Sequence, residues 1–168
     1  MKYMPTDLIS AHWKTLGDAR KPPKLRVMAT DLAVQYALPV VFGVCVALWA
    51  PDQLVVGVLF SAVAIFTGLV FNLTFNVTDK AIDIRRDEVR NNDANLITLV
   101  DTLRSNLNYT SLVGITLTLG LGGASMFATD GELSRGVVAV FGAMLAHLLI
   151  LCLVVLRRFV LLHDQLRS

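Results

Sequence analysis

The chain has 168 residues, 55% hydrophobic and only 17% charged, with a mean hydropathy of +0.63; soluble domains carry about 25% charged residues, so this is not an ordinary soluble composition. A formal net charge of +2 says little until it is resolved along the chain; residues 78–108 are nearly neutral where a nucleic-acid surface shows a basic excess, and no nucleic-acid partner is expected. Long stretches lack charge altogether, which points to a bilayer as solvent, because an ionised side chain at mid-membrane costs roughly 2.5–3.5 kcal/mol.

Residues 1–30 form a first unit with six basic residues against Asp7 and Asp18. Leu8, Ile9, Trp13 and Leu16 recur at helical spacing there, the pattern of a basic amphipathic segment lying on an anionic cytoplasmic leaflet, so membrane lipids are the first expected partner. No apolar core follows the first lysine, so this stretch does not read as a signal peptide. Pro22-Pro23 makes a stiff connection onward.

Residues 31–168 read as an all-α transmembrane domain. A spanning helix needs about 20 predominantly apolar residues, and four segments approach or reach that length: 32–50, 53–77, 111–128 and 136–156. The connection Ala50-Pro51-Asp52-Gln53 is short enough to predict an antiparallel hairpin of the first two spans. Pro39 in the first span frees a backbone carbonyl. Lysine and arginine fall fourteen to one on the side that carries both termini and the connection between spans two and three, so an N-in, C-in topology in a bacterial inner membrane is expected.

The second span places Gly57, Ser61, Ala64, Gly68, Asn72 and Asn76 at spacing three or four, a small and increasingly polar face. In lipid such faces pack helices closely or admit water. The third span has Gly114, Gly120, Gly122 and Gly123, and the fourth has Ala139, Gly142, Ala143 and Ala146 beside His147, the one ionisable side chain near mid-membrane. Asn72, Asn76, Gly68 and His147 are the candidate pore or packing residues, with intramolecular packing and homo-oligomer contacts both open.

Residues 78–108 predict a cytoplasmic helical hairpin that extends spans two and three by about 20 Å at 1.5 Å per residue, turning at Asn91-Asn92-Asp93-Ala94-Asn95. Leu96, Leu99, Val100, Leu103 and Leu107 form an apolar stripe opposite a thinner one of Ile82 and Val89. Leu96, Leu99, Val100 and Leu103, with Arg85, Arg86 and Arg90, are the candidate docking residues for a soluble cytoplasmic partner. Five positive and six negative charges make the hairpin nearly neutral, as an ion-paired stalk also is.

Asn76, Asp79, Asp83 and Asp87 align on one helical face, where paired carboxylates hold Mg²⁺ against a diphosphate. This row resembles the acidic motif of membrane prenyltransferases, but those enzymes use a second acidic cluster and many more helices, neither of which is present. A Mg-dependent transferase is thus a remote reading; no catalytic, metal or cofactor site is expected, and His12 and His163 lack neighbours at ligand spacing. A chain of this size with four spans and no enzyme motif resembles, in layout alone, the multi-span effectors of bacterial anti-phage defence. That layout implies a self-associating, pore-forming or membrane-perturbing component regulated through its hairpin. The alternative is a passive anchor or scaffold for a soluble partner.

Overall fold

The structure, a computed structural model, describes residues 5–15, 32–49, 56–88, 92–127 and 133–167. Every element among them is helical: α1 (Pro5–Lys14), α2 (Ala33–Trp49), α3 (Val56–Arg86), α4 (Ala94–Met126) and α5 (Arg135–Arg167). Within α3 and α5, the stretches Leu59–Arg86 and Arg135–His163 are long and apolar enough to cross a membrane.

Packing between helices follows a repeat of alternating steps of four and three. In α3 the buried positions are Val63, Thr67, Val70, Thr74, Val77, Ala81 and Ile84. In α4 they include Leu96, Val100, Leu103, Leu107, Thr110, Gly114, Leu117 and Leu121. A 3.5-residue repeat keeps one seam facing its partner along a left-handed crossing, and here it runs through both the apolar and the polar halves of each helix. The segment expected as span two and the outgoing hairpin arm are therefore one continuous helix, α3, as are the returning arm and the segment expected as span three, α4. Ala81 and Ile84 face α4, whereas Ile82, expected there, is exposed; Val89 lies outside the described residues. Counting in heptads rather than by hydropathy alone gives that choice.

Where the seam carries hydroxyls, they meet across it. Thr74 donates to the Val70 carbonyl at 2.8 Å and meets Ser111 Oγ at 3.0 Å. Thr67 and Thr118 approach to 3.4 Å. Gly114 permits this close contact, since a Cβ there would lie 2.7 Å from Thr67 Oγ1.

Helix order in space is α3, α4, α5, α2, with α1 laid against α4. The consecutive pair α2 and α3 do not pack on one another among the described residues, which corrects the expected hairpin of the first two spans. The reason is the position of the small residues. Gly43 of α2 meets Ala139 and Ala143 of α5, while the seam of α3 is filled by α4. The connection at 50–55 lies outside the described residues.

At the hairpin tip, Asp93 caps α4 by accepting from the Asn95 and Leu96 amides at 2.9 and 3.1 Å. Asp93→Ala is expected to cost about 1 kcal/mol, and hydrogen exchange should speed up at the first amides of α4 and not at its centre.

Candidate functional site

The densest polar chemistry is a buried cluster where α1, α2, α4 and α5 meet. Its centre is Asn106 on α4, fully buried beside the apolar seam. With its amide oxygen toward α5, Asn106 Oδ1 accepts from Arg158 Nε at 3.1 Å and Nη1 at 2.6 Å, while Nδ2 donates to His12 Nδ1 at 3.0 Å and Thr15 Oγ1 at 2.7 Å. The reverse orientation would set the amide NH₂ against the guanidinium, donor against donor. Arg158 stands on the seam register of α5, which runs Leu148, Leu151, Val155, 158, Leu162. A cation at a core position needs acceptors, and Arg158 has them in Asn106 Oδ1 and the Thr15 carbonyl, the latter 2.9 Å from Nη2.

These contacts hold the C-terminal end of α1. Thr15 donates through its hydroxyl to the His12 carbonyl at 2.6 Å, and the Arg158 guanidinium lies where the helix dipole is negative. His12 is completely buried, its ring stacked 4.0 Å from Tyr109 and within 9° of parallel. Burial pushes its pKa below the usual 6.5; the Asn106 and Gln35 side chains beside it oppose this, and the nearby His147 and Arg158 add to the lowering. Trp13 and Tyr36 lie beside each other with ring centres 6.0 Å apart.

The cluster continues through Tyr109. His147 Nδ1 lies 2.7 Å from the Gln35 carbonyl, which only accepts, so the proton sits on Nδ1. His147 Nε2 is then the acceptor for the Tyr109 hydroxyl at 3.3 Å. Gln35 offers that carbonyl for a local reason. Pro39, four residues on, has no N–H to bond it, and residues 33–37 form a π-helical turn in which the Leu38 amide reaches back to the Ala33 carbonyl. His12 Nε2, Gln35 Oε1 and Tyr36 OH are buried with no hydrogen-bond partner. The arrangement is a series of uncharged proton-accepting groups, ended by one guanidinium, rather than a nucleophile with its base.

Of the residues singled out from sequence, His147 alone belongs to this cluster. Gly68, Asn72 and Asn76 are all exposed on α3, and a Cβ on Gly68 would have no atom within 4 Å. Leu96, Val100 and Leu103 are buried against Val77, Ala81 and Ile84 of α3 and Val155 and Leu162 of α5, and Leu99 packs against the same core. The chain itself covers the stripe expected to receive a soluble partner. Arg85 bonds both carboxylate oxygens of Asp101 across the hairpin at 2.7 and 2.8 Å, Arg86 is exposed, and Arg90 lies outside the described residues. Asn76, Asp79 and Asp83 are exposed, with Lys80 3.7 Å from Asp83. Among the described residues, no three of His, Cys, Asp and Glu are grouped to hold a metal ion.

Sequence reasoning missed His12, Gln35, Tyr109, Asn106 and Arg158. α1 does not present Ile9 and Trp13 inward, both being exposed; it docks through His12. One signal was available: Arg158 falls on the seam register of its helix, and a charge there demands partners. No family model, curated protein or solved structure matches this chain.

Proposed function

We propose that this chain is a multi-pass protein of a bacterial inner membrane, with four spans and cytoplasmic termini, that self-associates into a pore-forming or membrane-permeabilising assembly. The observation that carries the reading is the open face of α3. Gly57, Ser61, Gly68, Asn72 and Asn76 are exposed in one row, while Gly43, Gly114 and Gly120 are each covered by a neighbouring helix; Gly123 and Gly136 also lie open, without such a row. A lipid-facing amide left without a partner costs several kcal/mol, so Asn72 and Asn76 call for another copy or for water. A ring of chains that turned this face inward would supply both, with amides along the path.

The membrane placement draws support from what surrounds the seams. Only 22% of the most apolar window of α3 and 11% of that of α5 are buried, the reverse of a soluble core helix. α2 is a shorter apolar helix with Val40, Val41, Val44 and Leu48 outward, and the fourteen-to-one bias of basic residues supports cytoplasmic termini. Covalent chemistry at the buried cluster is not part of this reading.

Native mass spectrometry in nanodiscs tests it. The wild type is expected as a defined oligomer of three or more subunits and Gly68→Leu as a monomer, with ion flux from reconstituted vesicles lost in parallel. The substituted side chain enters open space in the single chain, so the variant keeps its fold. A monomeric, non-conducting wild type would sink the pore and leave the anchor.

A further inference from the structure

We propose that α1 is a proton-released latch: the uptake of one proton by His12 detaches it from the seat formed by Asn106, Tyr109 and Arg158. The latch does not depend on the assembly proposed above, since every contact involved lies within one chain.

The argument begins with the Asn106 amide, which is held from two sides. Its oxygen is fixed by the Arg158 guanidinium at 2.6 and 3.1 Å, so its NH₂ must point toward α1, where His12 Nδ1 at 3.0 Å accepts. An imidazole that accepts at Nδ1 is neutral and carries its hydrogen on Nε2. Protonation puts a hydrogen on Nδ1 as well, and two donors then oppose each other in a buried contact. Asn106 cannot turn over to relieve this, because turning would place its NH₂ on the guanidinium. The new positive charge also stands near Arg158, with no carboxylate among the described residues that act on it, and stacking on the Tyr109 face offsets only part of that cost.

The groups facing His12 are Asn106 and Tyr109 from α4, Arg158 and His147 from α5, and Gln35 from α2, whose Tyr36 adjoins the neighbouring Trp13. Within α1, Asp7 and Lys14 are exposed. Of the side-chain acceptors in the surrounding set, Asn106 Oδ1 is held by Arg158 and His147 Nε2 by the Tyr109 hydroxyl, while Gln35 Oε1 and the Tyr36 hydroxyl are uncharged. The docked-state pKa of His12 lies below the free value of 6.5 because the site is desolvated. Docking is therefore complete above pH 6.5 and is lost as the pH falls from there through the docked-state value. When α1 leaves, it uncovers Asn106, Tyr109 and Arg158 on the face that joins α4 to α5.

Hydrogen exchange of the full chain in nanodiscs, corrected for the intrinsic pH dependence, reads the latch directly. Between pH 7.5 and 5.0 the protection of residues 8–15 is expected to fall by up to about tenfold per pH unit below 6.5, with the seam of α3 and α4 unchanged. His12→Gln should show no pH-dependent loss. Asn106→Asp should reverse the sign, because its carboxylate accepts from both the guanidinium and the imidazolium, making α1 better protected at pH 5.0 than at 7.5. Equal protection of wild-type α1 at both values overturns the proposal. So does a loss in His12→Gln as large as in the wild type, or an Asn106→Asp variant that still undocks in acid.

Discussion

Gly43→Leu is expected to unseat α2 from α5. A Cβ on Gly43 would lie 2.8 Å from the Ala139 carbonyl oxygen and 2.8 Å from the Ala143 methyl, with the Ala143 Cα at 3.5 Å. None of these atoms can rotate away, since two are backbone and the third is a Cβ methyl. Overpacking of this kind costs about 1–3 kcal/mol for a single added carbon where the surroundings yield slightly, and an isobutyl group asks for far more room. Beyond its 33–37 end, where Tyr36 meets Trp13, α2 has no second helix to fall back on, because neither α3 nor α4 packs along it. Exchange protection of residues 38–49 should collapse in the variant while the α3–α4 seam stays protected. Gly68→Leu, which meets nothing, is the control. Unchanged protection of α2 would mean that the Gly43 contact is not made.

The same contact shows what a single sequence discloses and what it withholds. Helical content and the continuity of α3 and α4 were legible because they are written in spacing: the stripe from Leu96 to Leu107 recurs every three or four residues, and Asp93 stands one residue before a helix start. The small residues were legible as a set. Which of them face a neighbour in the same chain and which lie open was not, because glycine looks alike whether Ala143 or nothing stands opposite. The pairing of α2 with α5 in place of α3 followed from that hidden choice. The buried cluster was less legible still. His12 and Asn106 are 94 residues apart, and a lone histidine next to an exposed tryptophan carries no periodic sign of burial. Even so, the proline that frees the Gln35 carbonyl is visible in sequence, and so is the histidine that takes it. Only their meeting needed the fold.

That meeting makes a second measurable claim. His147→Phe keeps a ring beside Tyr36, whose centre lies 5.2 Å from that of His147, but removes the donor to the Gln35 carbonyl and the acceptor for the Tyr109 hydroxyl. Two partly buried polar groups are left without partners, at about 1–3 kcal/mol each, so a drop of about 2–6 kcal/mol in unfolding free energy is expected. Pro39→Ala should soften it. An alanine at position 39 has the N–H that proline lacks, and once the π-helical turn relaxes to α-helix that N–H satisfies the Gln35 carbonyl from within α2. In the Pro39→Ala background the same histidine replacement should therefore cost at least about 1 kcal/mol less, a coupling well above the scatter between independent sites. Unfolding in mixed micelles gives all four corners of this cycle. Strict additivity would mean that His147 and Pro39 act separately, and that the carbonyl finds its hydrogen bond elsewhere. A clear coupling would tie the histidine of the fourth apolar segment to the backbone defect in the first. α2, α4 and α5 would then be locked together by the same cluster that seats α1.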